Sequence, residues 1–276
     1  MMAAAGLLAA GAVSRADTPA APPIEGSAVQ GSSLGYMIYG GGLKIAAASV
    51  EIELSPHPSY AGLVVEPRGI TALFSDFRLE SSLKAEDGAG EVLPASYRSS
   101  YFKNDRLRRS IEIDYDGGKS IAVRTDPTRE EDERPEVPEA LRQAAVDPIA
   151  AGLTLLLGAA REGTCDNELS VFDGRRLFDL KVQHAGTREL EPSNTYAYAG
   201  PVMVCRLSLT RVAGFEKDEI GKKRSPTIVE ALVAPSTEGT PALPVRFEAD
   251  SRIGKVIVRL ESIESASKTA QSAKRD

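Results

Sequence analysis

Residues 111–118 read Ile-Glu-Ile-Asp-Tyr-Asp-Gly-Gly. Ile111, Ile113 and Tyr115 alternate with Glu112 and Asp114, so an extended chain turns its apolar groups to one face and its carboxylates to the other. The Asp116-Gly117-Gly118 that follows is a tight-turn signal. A strand with one dry face and one wetted face, ended by a hairpin turn, belongs to an antiparallel sheet. The same period of two recurs along the chain. Val50, Ile52 and Leu54 alternate with Glu51 and Glu53, Val245 and Phe247 with Arg246 and Glu248, and Val256, Val258 and Leu260 with Arg259 and Glu261. Asp87-Gly88, Asp173-Gly174 and Ala185-Gly186 add further turn signals. About ten to twelve strands are counted this way, too many for one flat open sheet. The expected fold is mainly β: an antiparallel, curled sheet or half-barrel with one buried apolar helix.

That helix is read from Asp147 to Gly163, DPIAAGLTLLLGAAREG. Asp147 is a good N-cap, Pro148 suits the first helical position and Gly163 can end the helix. Ile149, Leu153, Leu156, Leu157 and Ala160 form one stripe, yet the opposite side carries Ala151, Leu155, Gly158 and Ala159. A helix apolar nearly all round is buried on both sides or lines a cavity. Thr125–Ala145, charged and rich in Pro, reads as an exposed connection ending in a short helical turn.

The 276 residues are 42% hydrophobic and carry a net charge of −6. This is enough apolar material for a sizeable core, and the acidic balance argues against a nucleic-acid partner. No apolar run reaches the ~20 residues of a membrane-spanning helix. Residues 1–16 resemble a signal peptide, with an apolar stretch from Ala3 to Val13 and small residues at Ser14 and Ala16, although no basic residue precedes the stretch. Residues 17–33, rich in Pro, Ala, Gly and Ser, read as a flexible tether. Residues 34–264 are expected to form a single β-rich domain, and 265–276 read as a disordered tail.

Familiar catalytic patterns are missing: there is no Gly-x-Ser-x-Gly elbow, His-Glu-x-x-His or Walker loop. His57 and His184, the two histidines, read as loop residues, and Gly40-Gly41-Gly42 as a bulge or tight bend. No cofactor and no metal site is expected. If Asp173-Gly174 is a two-residue turn, Phe172 pairs with Arg175 and Val171 with Arg176. Arg176 then ends an apolar face shared with Phe178 and could present its guanidinium to an anionic headgroup at a pocket mouth. Leu153, Leu156, Leu157, Phe178 and Arg176 are the candidate ligand-binding residues. The competing expectations are that the leucines fill a core and that Arg176 pairs with a nearby acid.

Several short blocks fall in a fixed order: Tyr39 with Gly41-Gly42-Leu43, Asp147-Pro148, Cys165-Asp166, Phe172-Asp173-Gly174-Arg175-Arg176, Cys205, Val212-Ala213-Gly214-Phe215, Pro244-Val245-Arg246 and Gly254-Lys255. As a set, from about Tyr36 to Ile263, they resemble the exported bacterial domain-of-unknown-function family numbered 3108. The resemblance implies a periplasmic, β-rich protein with no assigned activity, and permits kinship with curled half-barrels that carry lipids or lipoproteins. The expected role is a non-enzymatic envelope protein binding a lipid or other amphiphile in the sheet concavity. One alternative is a structural factor that meets an envelope protein partner and has no ligand pocket. Another is an envelope hydrolase.

Cys165 and Cys205 are the two cysteines, an even count that in an exported chain favours a disulfide. Along Val202–Arg211, Cys205 shares a face with Met203, Leu207 and Leu209, where a thiolate is unfavourable and a bridge is not. Closing a loop of about 40 residues stabilises the fold by roughly 4 kcal/mol in the chain-entropy view. Denatured, unreduced mature protein should therefore titrate no free thiol; two titrating thiols would refute the bridge. Cys205→Ser should lower stability by ~2–5 kcal/mol.

Overall fold

The computed structural model describes residues 32–53, 59–88, 91–127, 134–216, 227–237, 242–251 and 254–265. Their strands are β1 (Ser32–Gly40), β2 (Leu43–Glu53), β3 (Tyr60–Pro67), β4 (Phe77–Gly88), β5 (Glu91–Lys103), β6 (Arg106–Asp116) and β7 (Lys119–Asp126). After two helices, α1 (Glu139–Gln143) and α2 (Pro148–Glu162), come β8 (Asn167–Phe172), β9 (Leu177–Leu190), β10 (Gly200–Ala213), β11 (Thr227–Ala234), β12 (Leu243–Ser251) and β13 (Gly254–Ser265). A 3-10 turn, Gly69–Leu73, joins β3 to β4. The regions assigned to a signal peptide (1–16), to most of the tether (17–33) and to the tail (265–276) lie outside the described residues, as does His57; Ser32 and Ser33 belong to β1 and Ser265 ends β13.

Thirteen strands, rather than ten to twelve, form one antiparallel sheet in the order β7-β6-β5-β4-β3-β2-β1-β13-β12-β11-β10-β9-β8. The excess arises because alternation is blurred where both faces are covered. Residues 202–205 are all buried, Val202 and Val204 in one apolar cluster and Met203 and Cys205 in another. The period-two reading holds where one face is wet: Ile111, Ile113 and Tyr115 are buried while Glu112 and Asp114 stand outside. Outward charges form a paired ladder, Arg98–Glu112–Arg124–Asp114 across β5, β6 and β7 and Arg246–Glu248–Lys255 across β12 and β13.

The sheet is not closed by hydrogen bonds, since β7 and β8 are its two edges. It is curled shut by packing instead. Helix α2 touches β4 and β5 near one edge and β8 at the other. Phe172 and Leu177, flanking the β8–β9 loop, are buried with Tyr97, Ile111, Ile113 and Tyr115 of β5 and β6. The edge of β8 is also covered by Val146, which exchanges backbone hydrogen bonds with Ser170 and Phe172.

Helix α2 has the expected ends: Asp147 accepts from the amides of Ile149 and Ala150, and Gly163 is left-handed. Its buried residues are Ala150, Ala151, Leu153, Gly158 and Ala159, not the leucine stripe as a whole. Small side chains let the helix sit close to the sheet, which leaves Leu156 and Leu157 half-buried. The connection after β7 is also less exposed than its charge suggests, because Val137 and Ala145 are buried in the cluster under β6; the charged stretch 128–133 lies outside the described residues.

The β8–β9 hairpin departs from the expected Asp173-Gly174 turn. Its ladder starts at Phe172 with Leu177, and Val171 pairs with Phe178; the Asp173 amide donates to the Arg176 carbonyl (3.1 Å), so the Asp173–Arg176 loop turns at Gly174-Arg175, one residue past the expected pair. The Asp173 carboxylate accepts from the amides of Arg175 and Arg176 and from the Arg176 guanidinium, which stabilises this turn. Ala185-Gly186 is no turn: β9 runs on to Leu190, with a register shift opposite Met203 and Cys205. His184 accordingly lies half-buried on β9, its Nδ1 3.8 Å from the Cys165 sulfur. Cys165, between α2 and β8, is joined to Cys205 of β10 with the Cα atoms 6.0 Å apart.

Two glycines permit the closure. A Cβ on Gly174 (φ +92°) would collide with Ile111 of β6, and one on Gly214 (φ +80°) with the backbone of Arg175 and Arg176. Beyond Gly214, Phe215 is buried edge-on against Phe178. The Gly-Phe and Asp-Gly-Arg-Arg blocks, about forty positions apart in sequence, thus interlock. Gly214→Ala should destabilise the protein by more than ~2 kcal/mol, since both backbone strain and a collision with unyielding main chain oppose it. Urea unfolding checks this; a loss under ~0.5 kcal/mol, as at an ordinary surface site, would remove the interlock from the account.

Candidate functional site

Register and curl together place an arginine on a sheet face that otherwise carries apolar side chains and the Ser81–Ser99 hydroxyl pair. On β6, Arg109 has the same parity as Ile111 and Ile113 and therefore shares their inward face. Antiparallel pairing carries this face through Tyr97 and Ser99 on β5, Leu79 and Ser81 on β4, and Leu63 on β3. The curl brings Pro148 and Ile149 at the start of α2, and the Asp173–Arg176 loop, over these strands. Between them lies a cavity of about 270 Å³. Leu63, Leu79, Ile111 and Ile149 form its apolar wall, while Arg109, Arg175, Arg176 and Asp173 form a charged side.

The charges are unequal. Asp173 is the carboxylate among these lining residues, and it is held by Arg176, whose Nη2 lies 2.9 Å from it. Arg175 is buried and donates to the Pro127 carbonyl, tying the loop to the end of β7. Arg109 is half-buried, and burial, reinforced by the Arg176 and Arg175 guanidiniums, holds its pKa below the usual arginine value; Asp173 opposes this. An arginine so placed gains by meeting an anion.

Asp147 lies just outside the cavity, at the foot of α2. It is fully buried, accepts from Ile149 N and Ala150 N at 3.0 Å each, and receives the Tyr115 hydroxyl at 3.3 Å. Burial pushes its carboxyl up to about 6 against those hydrogen bonds. It also pushes the Tyr115 hydroxyl up, as does the neighbouring carboxylate. The pair fixes the end of the helix that walls the cavity.

Of the sequence-derived candidates, Arg176 lines this cavity. It does so from a loop and already paired with Asp173, not from the end of a strand face. Leu153 is buried in the main core, Leu156 packs against the second cluster, Leu157 is half-buried and Phe178 packs on Phe215. The structure does not gather these four at the cavity. Sequence reasoning missed Arg109, although the spacing Arg109-x-Ile111-x-Ile113 is the signal that puts a cation on an apolar face. It also missed Leu63 and Leu79, and it placed Ile149 on the helix stripe without naming it among the ligand-binding residues. Two other hollows, of about 270 and 400 Å³, lie on the outer side of β1–β5 and are lined largely by small and polar residues such as Gly35, Ser49, Gly62, Ser82 and Ser100. They lack a converging apolar wall. Among the described residues no group of three or more His, Cys, Asp or Glu could hold a metal ion, and no helix is long and apolar enough to cross a membrane.

Residues 35–261 match the family model described as "Protein of unknown function (DUF3108)". The crystal structure of a beta-barrel-like protein of domain of unknown function DUF1849 from Brucella abortus is similar, with TM-score 0.55 and 11% identity, over 86% of this chain and 98% of that one. At that identity the likeness is one of fold. A structure from Parabacteroides distasonis described as "a putative lipoprotein" aligns over 86% of this chain and 96% of its own with TM-score 0.30 and 8% identity. Comparison with curated proteins finds no match.

The raised Asp147 pKa has a definite sign. In the unfolded chain the group ionises near the ordinary carboxyl value of 3.8, while in the folded protein it holds its proton to about 6. Its contribution to stability is full below pH ~4, falls as pH rises to ~6, and is then constant. Asp147→Asn keeps the cap but cannot ionise. Relative to wild type it should gain stability between pH 4 and 6.5 by an amount on the order of 2–3 kcal/mol. Unfolding titrations at several pH values check this, and a difference independent of pH would contradict it.

Proposed function

Starting from the fact that the chain belongs to the DUF3108 family of proteins of unknown function, we propose that it is a non-enzymatic periplasmic protein that binds an anionic amphiphile in the curled sheet. The observation that carries the reading is an apolar wall facing an excess of guanidinium: Leu63, Leu79, Ile111 and Ile149 beside Arg109 and Arg176. An apolar chain segment gains by leaving water for that wall, and an anionic head meets planar donors suited to carboxylate or phosphate. A volume of about 270 Å³ is at the lower edge of small-molecule sites, so it suits a headgroup and the first part of a chain. The extracytoplasmic setting is supported by the leader-like start of the sequence and the Cys165–Cys205 pair. A purely structural envelope factor has less support, because the outward charges on β5–β7, β12 and β13 are already paired with one another. Catalysis has no positive indication among the described residues.

Titration with a fluorescent long-chain carboxylate and with its neutral methyl ester tests the proposal. Wild type should bind the carboxylate saturably and more tightly than the ester. Arg109→Ala should weaken the carboxylate by about tenfold, equivalent to one charge-assisted hydrogen bond, and leave the ester nearly unchanged. Leu79→Ala should weaken both probes. Absence of saturable binding to wild type, or equal losses for both probes in Arg109→Ala, would overturn the reading.

A further inference from the structure

The end of the sheet at which the cavity lies also carries an apolar rim. Because neighbouring strands alternate in direction, the β1–β2 turn, the β3–β4 connection, the β5–β6 turn and the β12–β13 turn all fall at that end. Backbone hydrogen bonds tie these connections together: Gly41 N to Lys255 O (3.2 Å), Arg68 N to Ile45 O (3.0 Å) and Asn104 N to Asp76 O (2.9 Å). On them stand Leu43, Ile70, Leu73, Phe74 and Leu107, all exposed; Leu73 is 76% and Phe74 83% accessible. Single exposed apolar residues are ordinary. Here they gather on linked loop tips, and the 3-10 turn that carries two of them buries no residue of its own.

The charge around this rim is opposite to that of the chain. With the Arg68–Glu66 and Lys255–Glu248 pairs set aside, exposed Lys44, Lys103, Arg106 and Arg108 outnumber exposed Asp76, Asp105 and Asp250 there, while the whole protein carries −6. Apolar tips flanked by cations match an interface whose surface is anionic and whose interior is hydrocarbon. A protein partner would call for an apolar centre depleted of charge, whereas exposed cations stand beside these side chains. We infer that this end docks on an anionic lipid surface, with Leu73 and Phe74 entering the headgroup region while Lys103, Arg106 and Arg108 meet the phosphates. The surface is distinct from the cavity, so probe binding and lipid docking stand or fall separately.

Flotation of the full chain with phosphatidylcholine vesicles, with and without phosphatidylglycerol, tests the inference. Wild type should float with the phosphatidylglycerol vesicles and lose this binding as salt is raised. Leu73→Ser/Phe74→Ser should weaken it by about tenfold or more, with the unfolding midpoint unchanged because both sites are exposed. Phe74→Ser alone, at the more exposed of the two, serves as a second variant and should give part of the loss. Arg106→Glu/Arg108→Glu should abolish the preference for phosphatidylglycerol. Ile121→Ser, which removes an exposed apolar residue near the opposite end of β7, should bind as wild type does. No flotation of wild type, or full binding by Leu73→Ser/Phe74→Ser, would overturn the inference. So would a concentration-dependent dimer in sedimentation that the same double variant abolishes, since the rim would then be a self-association surface.

Discussion

Two sheet edges that do not pair with each other must be brought together by side chains and loops, and that requirement organises this protein. The buried guanidinium of Arg175 reaches the Pro127 carbonyl at the end of β7, while the glycines on either side of the interlock let the Asp173–Arg176 loop approach Ile111 and residue 214 approach the loop. Phe172 and Leu177 then complete an apolar cluster with β5 and β6. A hydrogen-bonded barrel removes its edges by continuing the ladder. Here one edge lies against the inward face near the other, with Val146 covering the exposed backbone of β8.

The same closure creates the cavity. Closing by a loop rather than a ladder leaves space between the strands and the start of α2, and that space inherits whatever the loop carries. The loop carries two arginines because Arg175 is the strut and Arg176 is held by Asp173. Arg109 adds a third guanidinium from the sheet itself. Structure and candidate chemistry therefore share residues: the groups that hold the curl shut also set the sign of the potential inside it. Asp147 has a comparable double position, capping the helix while its buried carboxyl binds the Tyr115 hydroxyl. The apolar rim stands at the same end of the sheet, which puts the proposed lipid-docking surface and the proposed amphiphile cavity within one short stretch of loops.

Much of this was legible in the sequence where one face of a strand is wet. The alternation at 111–115, the capped helix beginning at Asp147 and the Cys165–Cys205 pair are all set by neighbours in the chain or by the simple contrast of dry and wet faces. Legibility failed where a residue's surroundings come from far along the chain. Residues 202–205 lose their alternation because other parts of the chain cover both faces. Ala185-Gly186 stays extended because β10 pairs across it. The turn moves past Asp173 because its carboxylate finds two amides and a guanidinium beyond it. The helix buries its small residues because the curled sheet comes close to it, and no period within the helix reveals how near its partner lies.

By itself the sequence determined an antiparallel sheet too large to lie flat, one apolar helix with defined ends and a pair of cysteines on apolar surroundings. These follow from periodicity and capping, which are properties of adjacent residues. Tertiary structure alone decided which strands meet across the curl, that Arg109 and Arg176 face one cavity while Leu153 fills the core, and that Leu43, Ile70, Leu73 and Phe74 crowd one rim. Those outcomes depend on strand order and on the direction of the curl, which bring residues into contact across tens of positions and leave no periodic trace in the chain.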